Sequence, residues 1–173
     1  MPLKTAKRLF GEHLTPKEVF ETYIYPEIKN CLYEHIWVDL FAGEGNLILP
    51  ILEHLKESER VSFFKERIFL FDIQQRLVEE AIKKAVRYGI PEELARQNIR
   101  VQDTIKNYPS WLLKKESPVY HITNPPYLYV GYMPKQESTR RLLEYFVGEK
   151  EGYQDLYQLA LINDLKEAYP CRA

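Results

Sequence analysis

The chain has 173 residues, 45% of them hydrophobic and 28% charged, which is enough for one domain with a proper core and too little for two comfortable ones. A formal net charge of −1 at pH 7 excludes the overall basic field of a free-standing nucleic-acid binder, so any grip on nucleic acid is local or lies elsewhere. Two cysteines far apart in sequence and four histidines without paired ligand spacing point away from a disulfide framework and from a metal site. No signal peptide or membrane span is expected, and a reducing cytoplasm is the natural setting.

In chain order, Thr15 and Pro16 followed by Glu18 read as an N-cap, a first helical residue and a capping-box partner, so a helix is expected to begin at Pro16. Val19, Phe20, Tyr23 and Ile24 give it an apolar face, and Pro26 either ends it or starts a second helix carrying Ile28 and Leu32. Residues 1–35 form an N-terminal helical segment on this reading, and 36–173 the core.

Ile36 to Phe41 is an apolar strand, and Ala42-Gly43-Glu44-Gly45-Asn46 punctuates the change to a helix with Leu47, Ile48, Ile51, Leu52 and Leu55 on one side. Strand, glycine turn and helix make the first unit of a nucleotide-binding sheet, in which two glycines let the backbone approach a ligand closely. Ile48 stands where a dinucleotide fingerprint would have its third glycine, which favours a smaller ligand than a dinucleotide. Glu57 to Glu66 is a charged insert.

The second strand, Arg67 to Ile73, closes on Asp72, which either binds a ligand or caps the helix beginning near Gln74. Leu77, Val78, Ala81, Ile82, Ala85 and Val86 repeat at helical spacing until Gly89 stops them. A turn from Pro91 to Arg96 leads to a weaker third strand, Asn98 to Asp103. The fourth, Val119 to Thr123, reads as a buried strand that stops abruptly at Asn124-Pro125-Pro126-Tyr127. Two prolines can neither donate to a sheet ladder nor continue a regular element, so they fix a rigid lip. On that lip Asn124 offers an amide oxygen beside the proline carbonyls and Tyr127 a flat face, a combination suited to a planar amine.

Strands alternating with helices imply a mostly parallel sheet whose ligands sit outside the carboxyl ends of the strands, where Asp39, the glycine turn, Asp72, Asp103 and Asn124 all fall. These residues resemble the S-adenosylmethionine-dependent DNA methyltransferases that modify the N6 amine of adenine. Asn124-Pro125-Pro126-Tyr127 is similar to their catalytic motif, Asp39-Leu40-Phe41-Ala42-Gly43-Glu44-Gly45 to their cofactor motif, and Leu14-Thr15-Pro16 to the segment before it. The order of the three resembles the gamma class of restriction-modification systems.

The resemblance implies an α/β fold, a partial Rossmann-like sheet of four strands with flanking helices, and S-adenosylmethionine as cofactor. It implies that Asn124 and the Pro125 carbonyl hold the target amine, that Pro126 stiffens the lip, and that Tyr127 stacks on an adenine flipped out of double-stranded DNA. Asp72 would meet the cofactor ribose, Ile73 its adenine ring and Asp103 the adenine amine, with Thr15 and the Gly43 to Gly45 turn around its methionine part and Asp39, Phe41 and Ala42 also among the cofactor-binding residues. No metal is called for. After Tyr127 come an aromatic-rich loop, Leu128 to Met133, and two helical stretches, Glu137 to Val147 and Asp155 to Ala168. Family members continue with three more strands and a target-recognition domain, so the chain is expected to be a truncated catalytic core whose fourth strand needs a partner, either the missing part or another chain. Two other readings stay open: a non-catalytic or vestigial cofactor-binding fragment, and a methyltransferase with this motif acting on RNA or protein.

Overall fold

A computed structural model describes residues 15–135, 140–148 and 152–168. By their contacts the described residues fall into two units, one made of 15–104 and 111–124, the other of 105–110 and 125–168.

The first unit holds a four-stranded, all-parallel sheet of β1 (Ile36–Asp39), β2 (Ile68–Asp72), β3 (Ile99–Val101) and β4 (Val119–His121) in the order β3-β2-β1-β4. Parallel neighbours need crossovers, and helices supply them: α3 (Glu57–Arg67) between β1 and β2, then α4 (Gln75–Arg87) and α5 (Glu92–Asn98) between β2 and β3. This is the Rossmann-like α/β arrangement expected from the sequence. β1 and β2 are buried along their whole length, as strands covered on both faces must be. Trp37, Phe64, Ile48, Leu52, Ile68 and Leu70 are fully enclosed at the centre, and the indole N–H of Trp37 finds the Leu32 carbonyl at 2.9 Å.

The N-terminal segment begins with α1 (Lys17–Val19), passes through a π-helical turn, Phe20–Ile24, and continues as α2 (Tyr25–Ile28) with Pro26 in its first turn. Pro26 has no N–H to give to a helical carbonyl, and the widened turn, closed by Tyr25 N–H donating to the Phe20 carbonyl, carries the chain past it. Neither expectation for Pro26 holds as stated: the helical run 17–28 passes through it without a break, and Leu32, expected on a second helix, lies beyond the end of α2 at Ile28. Phe20 is wholly buried and Tyr25 stacks on His54 with ring centres 3.6 Å apart, which fixes the segment to the core. The capping box does not form. Pro16 is the N-cap and no side chain caps the helix, because the Thr15 hydroxyl is taken by Asn124 at 3.1 Å.

Four further readings are corrected. The helix after the glycine turn is a 3-10 helix, Leu49–His54, with Pro50 at its start and Leu49, Pro50, Ile51 and Leu52 all buried; a segment enclosed on every side shows no single apolar face. The charged insert is α3, and the turn from Pro91 to Arg96 is α5, so β3 is only three residues long and Asp103 lies beyond its end. β4 is also short and not buried: Val119 and His121 are half-buried and Tyr120 is exposed. Among the described residues it pairs with β1 alone, and an edge strand exposes what a central one hides. α4 ends as expected at Gly89, in a Schellman turn in which Ile90 N–H meets the Ala85 carbonyl at 3.2 Å and Gly89 N–H the Val86 carbonyl at 2.9 Å, with Gly89 at φ 91°.

In the second unit, residues 128–130 run beside 154–156. Val130 N–H donates to the Gln154 carbonyl at 2.8 Å and Leu156 N–H to the Leu128 carbonyl at 3.1 Å. The Asp155 carboxylate accepts from Leu128 N–H at 3.0 Å and from Tyr157 N–H at 3.2 Å, while the Gln158 side chain accepts from Asp155 N–H at 3.1 Å. The Asp155 carboxylate on the Tyr157 N–H and the Gln158 side chain reaching back to the Asp155 N–H together cap the start of α6 (Leu156–Ala168). Of the other expected helical stretch, 137–139 lie outside the described residues and Arg141–Phe146 is a 3-10 helix.

A buried polar side chain that the sequence shows only as a strand's first residue holds the crossover together. The Asn98 amide nitrogen donates to the carbonyls of Phe64, Lys65 and Ile68 at 2.9, 3.1 and 3.0 Å, joining the end of α3 and the start of β2 to α5. Asn98→Ala leaves these acceptors without their donor in a buried place and is expected to cost about 1–3 kcal/mol. The urea midpoint should fall with an unchanged m-value; an unchanged midpoint would contradict this role.

Candidate active site at the carboxyl end of the sheet

β1 delivers Asp39 to its carboxyl end with no solvent exposure. Its Oδ1 accepts from Phe41 N–H at 3.0 Å and from the Thr123 hydroxyl at 2.8 Å. Among the described residues no donor reaches its Oδ2. Burial disfavours the charged form, and Asp39 is pushed up to about 7, against the pull of those two donors and with the Asp72 charge adding to the rise. The carboxyl end of β1 therefore holds a buried acid raised to about 7, one oxygen of which meets no donor among the described residues.

The glycine turn wraps over this point. Gly43 and Gly45 have φ of 55° and 77°, values that L side chains rarely adopt. At Gly45 a Cβ would lie 2.6 Å from the Leu49 side chain and 3.2 Å from that of Leu70, so this glycine is required by packing as well as by its backbone. Ala42 N–H donates to the Phe71 carbonyl at 2.8 Å, and Gly43 N–H to Asp72 Oδ2 at 2.9 Å. Asp72 Oδ1 accepts from Gln74 N–H at 2.8 Å. The acid is thus a clasp that holds the turn to the end of β2 and also shapes the entry to α4. Ile73, next in the chain, is 49% exposed, and Asp103 is half-buried after β3.

Thr15 comes to the same end of the sheet. Its hydroxyl accepts from the Asn124 amide nitrogen at 3.1 Å, and its carbonyl accepts from the Asn46 amide nitrogen at 2.8 Å. Asn46 Oδ1 in turn accepts from Lys84 Nζ. The first unit therefore joins Asp39 to Phe41, Gly43 to Asp72, and Thr15 to Asn124, six residues expected from the sequence. Four partners were not expected. Thr123 showed only as part of an apolar run, and Asn46 only as a turn residue. Lys84 sits on the polar side of α4 and carries no sequence signal. Thr104, almost fully buried, donates its hydroxyl to the Leu40 carbonyl at 2.9 Å and ties the loop after β3 to β1.

Pro125, Pro126 and Tyr127 belong to the second unit. Both prolines are half-buried. Tyr127 is 47% exposed, and its ring lies 5.4 Å from that of Tyr157, at the start of α6. Tyr129 and Tyr132 are exposed nearby in sequence, with the Lys135 ammonium 5.1 Å from the Tyr132 ring centre. Among the described residues no three His, Cys, Asp or Glu side chains gather in a way that could hold a metal ion, and no helix is long and apolar enough to cross a membrane.

No family model matches the chain, and no curated protein does. Among solved structures it is similar to a chain of the cryoEM structure of the DrdV–DNA complex, with a TM-score of 0.66 and 15% sequence identity. The likeness covers 96% of this chain and 20% of that one, so the chain spans about a fifth of its structural neighbour. At that identity the similarity establishes the fold, a parallel α/β sheet with helices on its faces.

Proposed function

We propose that the chain carries the cofactor and catalytic machinery of an S-adenosylmethionine-dependent methyltransferase acting on the N6 amine of adenine in DNA. The observation that carries this reading is the hydrogen bond from the Asn124 amide to Thr15 at 3.1 Å, which brings the residue before Pro125-Pro126-Tyr127 together with the Thr-Pro segment, at the sheet end that also holds the glycine turn. DNA as the substrate draws on the motif resemblance and on a structural neighbour that is itself a DNA complex.

The chemistry of the residues fits the cofactor. Asp39 Oδ2 is a buried acceptor lacking a donor among the described residues, a match for a cationic amino group; Asp72 can accept ribose hydroxyls, and the exposed Ile73 offers an apolar face to an adenine ring. When bound, S-adenosylmethionine would supply an electrophilic methyl group, its sulfur leaving with the bonding electron pair and the methylated nitrogen giving up one proton to water. The protein's task lies on the other reactant. An aromatic amine feeds its lone pair into the ring and is a weak nucleophile, so acceptors that hold its two hydrogens, Asn124 Oδ1 and the Pro125 carbonyl, favour a pyramidal nitrogen with the lone pair available. Tyr127 gives the flipped base a face to stack on, offsetting part of the few kcal/mol of unstacking.

Asp39 makes cofactor binding depend on pH. An acid whose folded pKa is raised to about 7, against ~3.9 when unfolded, adds stability that is fully present below the unfolded value and is lost as the pH rises through 7. Asp39→Asn should therefore raise the thermal midpoint relative to the parent at pH 8 and not at pH 4. A cation beside Asp39 favours its charged form, so affinity for S-adenosylmethionine should strengthen from pH 6 to pH 8, with Asp39 releasing about one proton on binding at pH 6 and little at pH 8, read from calorimetry at pH 6 in buffers of different ionisation enthalpy. Binding without proton release would remove Asp39 from the cofactor site.

In the full-length context, Asn124→Ala should lower the methylation rate constant by ~10²-fold or more with cofactor affinity nearly unchanged, the scale of deleting one preorganised contact to a transition state. Tyr127→Ala should weaken capture of the base, and Tyr127→Phe should be mild. Failure of the protein to bind S-adenosylmethionine in calorimetry would overturn the proposal, and binding without transfer to adenine-containing DNA would reduce it to a cofactor-binding module.

A further inference from the structure

Lys84 on α4, Asn46 after the glycine turn, Thr15 before α1 and Asn124 after β4 are linked through four separate segments by three hydrogen bonds, the second reaching the Thr15 carbonyl and the third its hydroxyl. The donor chemistry fixes its direction. A lysine ammonium only donates and a backbone carbonyl only accepts, so Asn46, placed between them, must turn Oδ1 to Lys84 and its amide nitrogen to the Thr15 carbonyl. Lys84 is itself held at 3.7 Å from Glu44 in the glycine turn, with its side chain only 19% exposed. This anchors the backbone of Thr15 and with it the position of the hydroxyl that meets Asn124. The two ends of a carboxamide are nearly equal in shape, and the terminal torsion of an asparagine is broad and two-fold, so packing alone does not decide which end faces which way.

We infer that Thr15 and Asn46 are positioning residues that fix the orientation of the Asn124 carboxamide, with the amide nitrogen held by the Thr15 hydroxyl so that the oxygen is presented to an incoming amine. The inference rests on the proposed role of Asn124 and assigns Thr15 a part other than contact with the cofactor. A relay starting on α4 also gives Lys84 and Asn46 an effect on turnover without any contact with the reacting atoms.

The test is made on the ¹⁵N-labelled chain and reads the side-chain amide protons of Asn124 by NMR, beside calorimetric titration with S-adenosylmethionine and single-turnover methylation of an adenine-containing duplex. In the parent protein one Asn124 amide proton should exchange slowly with water. Thr15→Val removes the acceptor while keeping the shape, and should speed that exchange at least tenfold and slow methyl transfer about tenfold. The affinity for S-adenosylmethionine should stay within twofold. Thr15→Ser keeps the hydroxyl and should restore both readouts. Asn46→Ala, which leaves Thr15 and Asn124 in place, should give an intermediate loss of both. An Asn124 amide signature unchanged in both Thr15→Val and Asn46→Ala overturns the inference, because a hydroxyl can also donate and would then be bonded to the oxygen end. Loss of cofactor affinity in Thr15→Val in step with the rate overturns it in favour of direct cofactor contact. If the parent protein transfers no methyl group, the proposed function fails while the amide signature still decides the positioning role.

Discussion

The structure depends on the burial of β1. A strand flanked on both sides by parallel neighbours and covered on both faces gives up all its water, and the carboxylate at its end, Asp39, is enclosed with it. Leaving a buried acid short of donors is costly, and the chain meets part of that cost from two directions, the Thr123 hydroxyl beyond β4 and the Phe41 N–H within the turn. Among the described residues the remaining oxygen meets no donor. The end of the sheet that carries the proposed chemistry is thus also where the fold carries an uncompensated polar group, a pattern in which strain at a functional site is offset by the surrounding core.

The same end is joined by bonds between elements distant in sequence. Asp72 clasps Gly43 across β2 and the turn, and Thr104 reaches the Leu40 carbonyl. Thr15 joins Asn46 to Asn124. These bonds lie at or just past the carboxyl ends of the strands, where the ladder runs out, and supply hydrogen bonds that the sheet no longer does. Geometry at the site is therefore coupled to the stability of the sheet's edge, and a change in one is expected to be felt in the other.

What the sequence made legible follows from period and punctuation. The runs Ile36 to Phe41 and Arg67 to Ile73, the helical repeat from Leu77 to Val86 and the stop at Gly89 rest on local residues, and the elements stand close to where they were expected. Asp39, Asp72 and the glycines after β1 stand out in the sequence because they fall at the ends of β1 and β2, whereas Asp103 lies past the end of the short β3. The misread segments failed for physical reasons. Leu49 to Leu52 are buried on all sides, so they lack the one-sided pattern that marks a helix, and Pro50 biases the segment toward a tighter turn. Thr15 looked like a cap because the local rule sees only the next three residues, whereas its hydroxyl is claimed by Asn124, distant in the chain. Asn98 and Lys84 were invisible as partners for the same reason, since a hydrogen bond across tens of residues leaves no periodicity.

The most direct measurement is nucleoside analysis of adenine-containing duplex DNA after incubation with the protein and S-adenosylmethionine carrying a deuterated methyl group. The account predicts deuterated methyl in N6-methyladenine, formed by the parent protein and lost in Asn124→Ala. A protein that binds the labelled cofactor yet leaves every adenine unmodified, or places the label on another base, would contradict it.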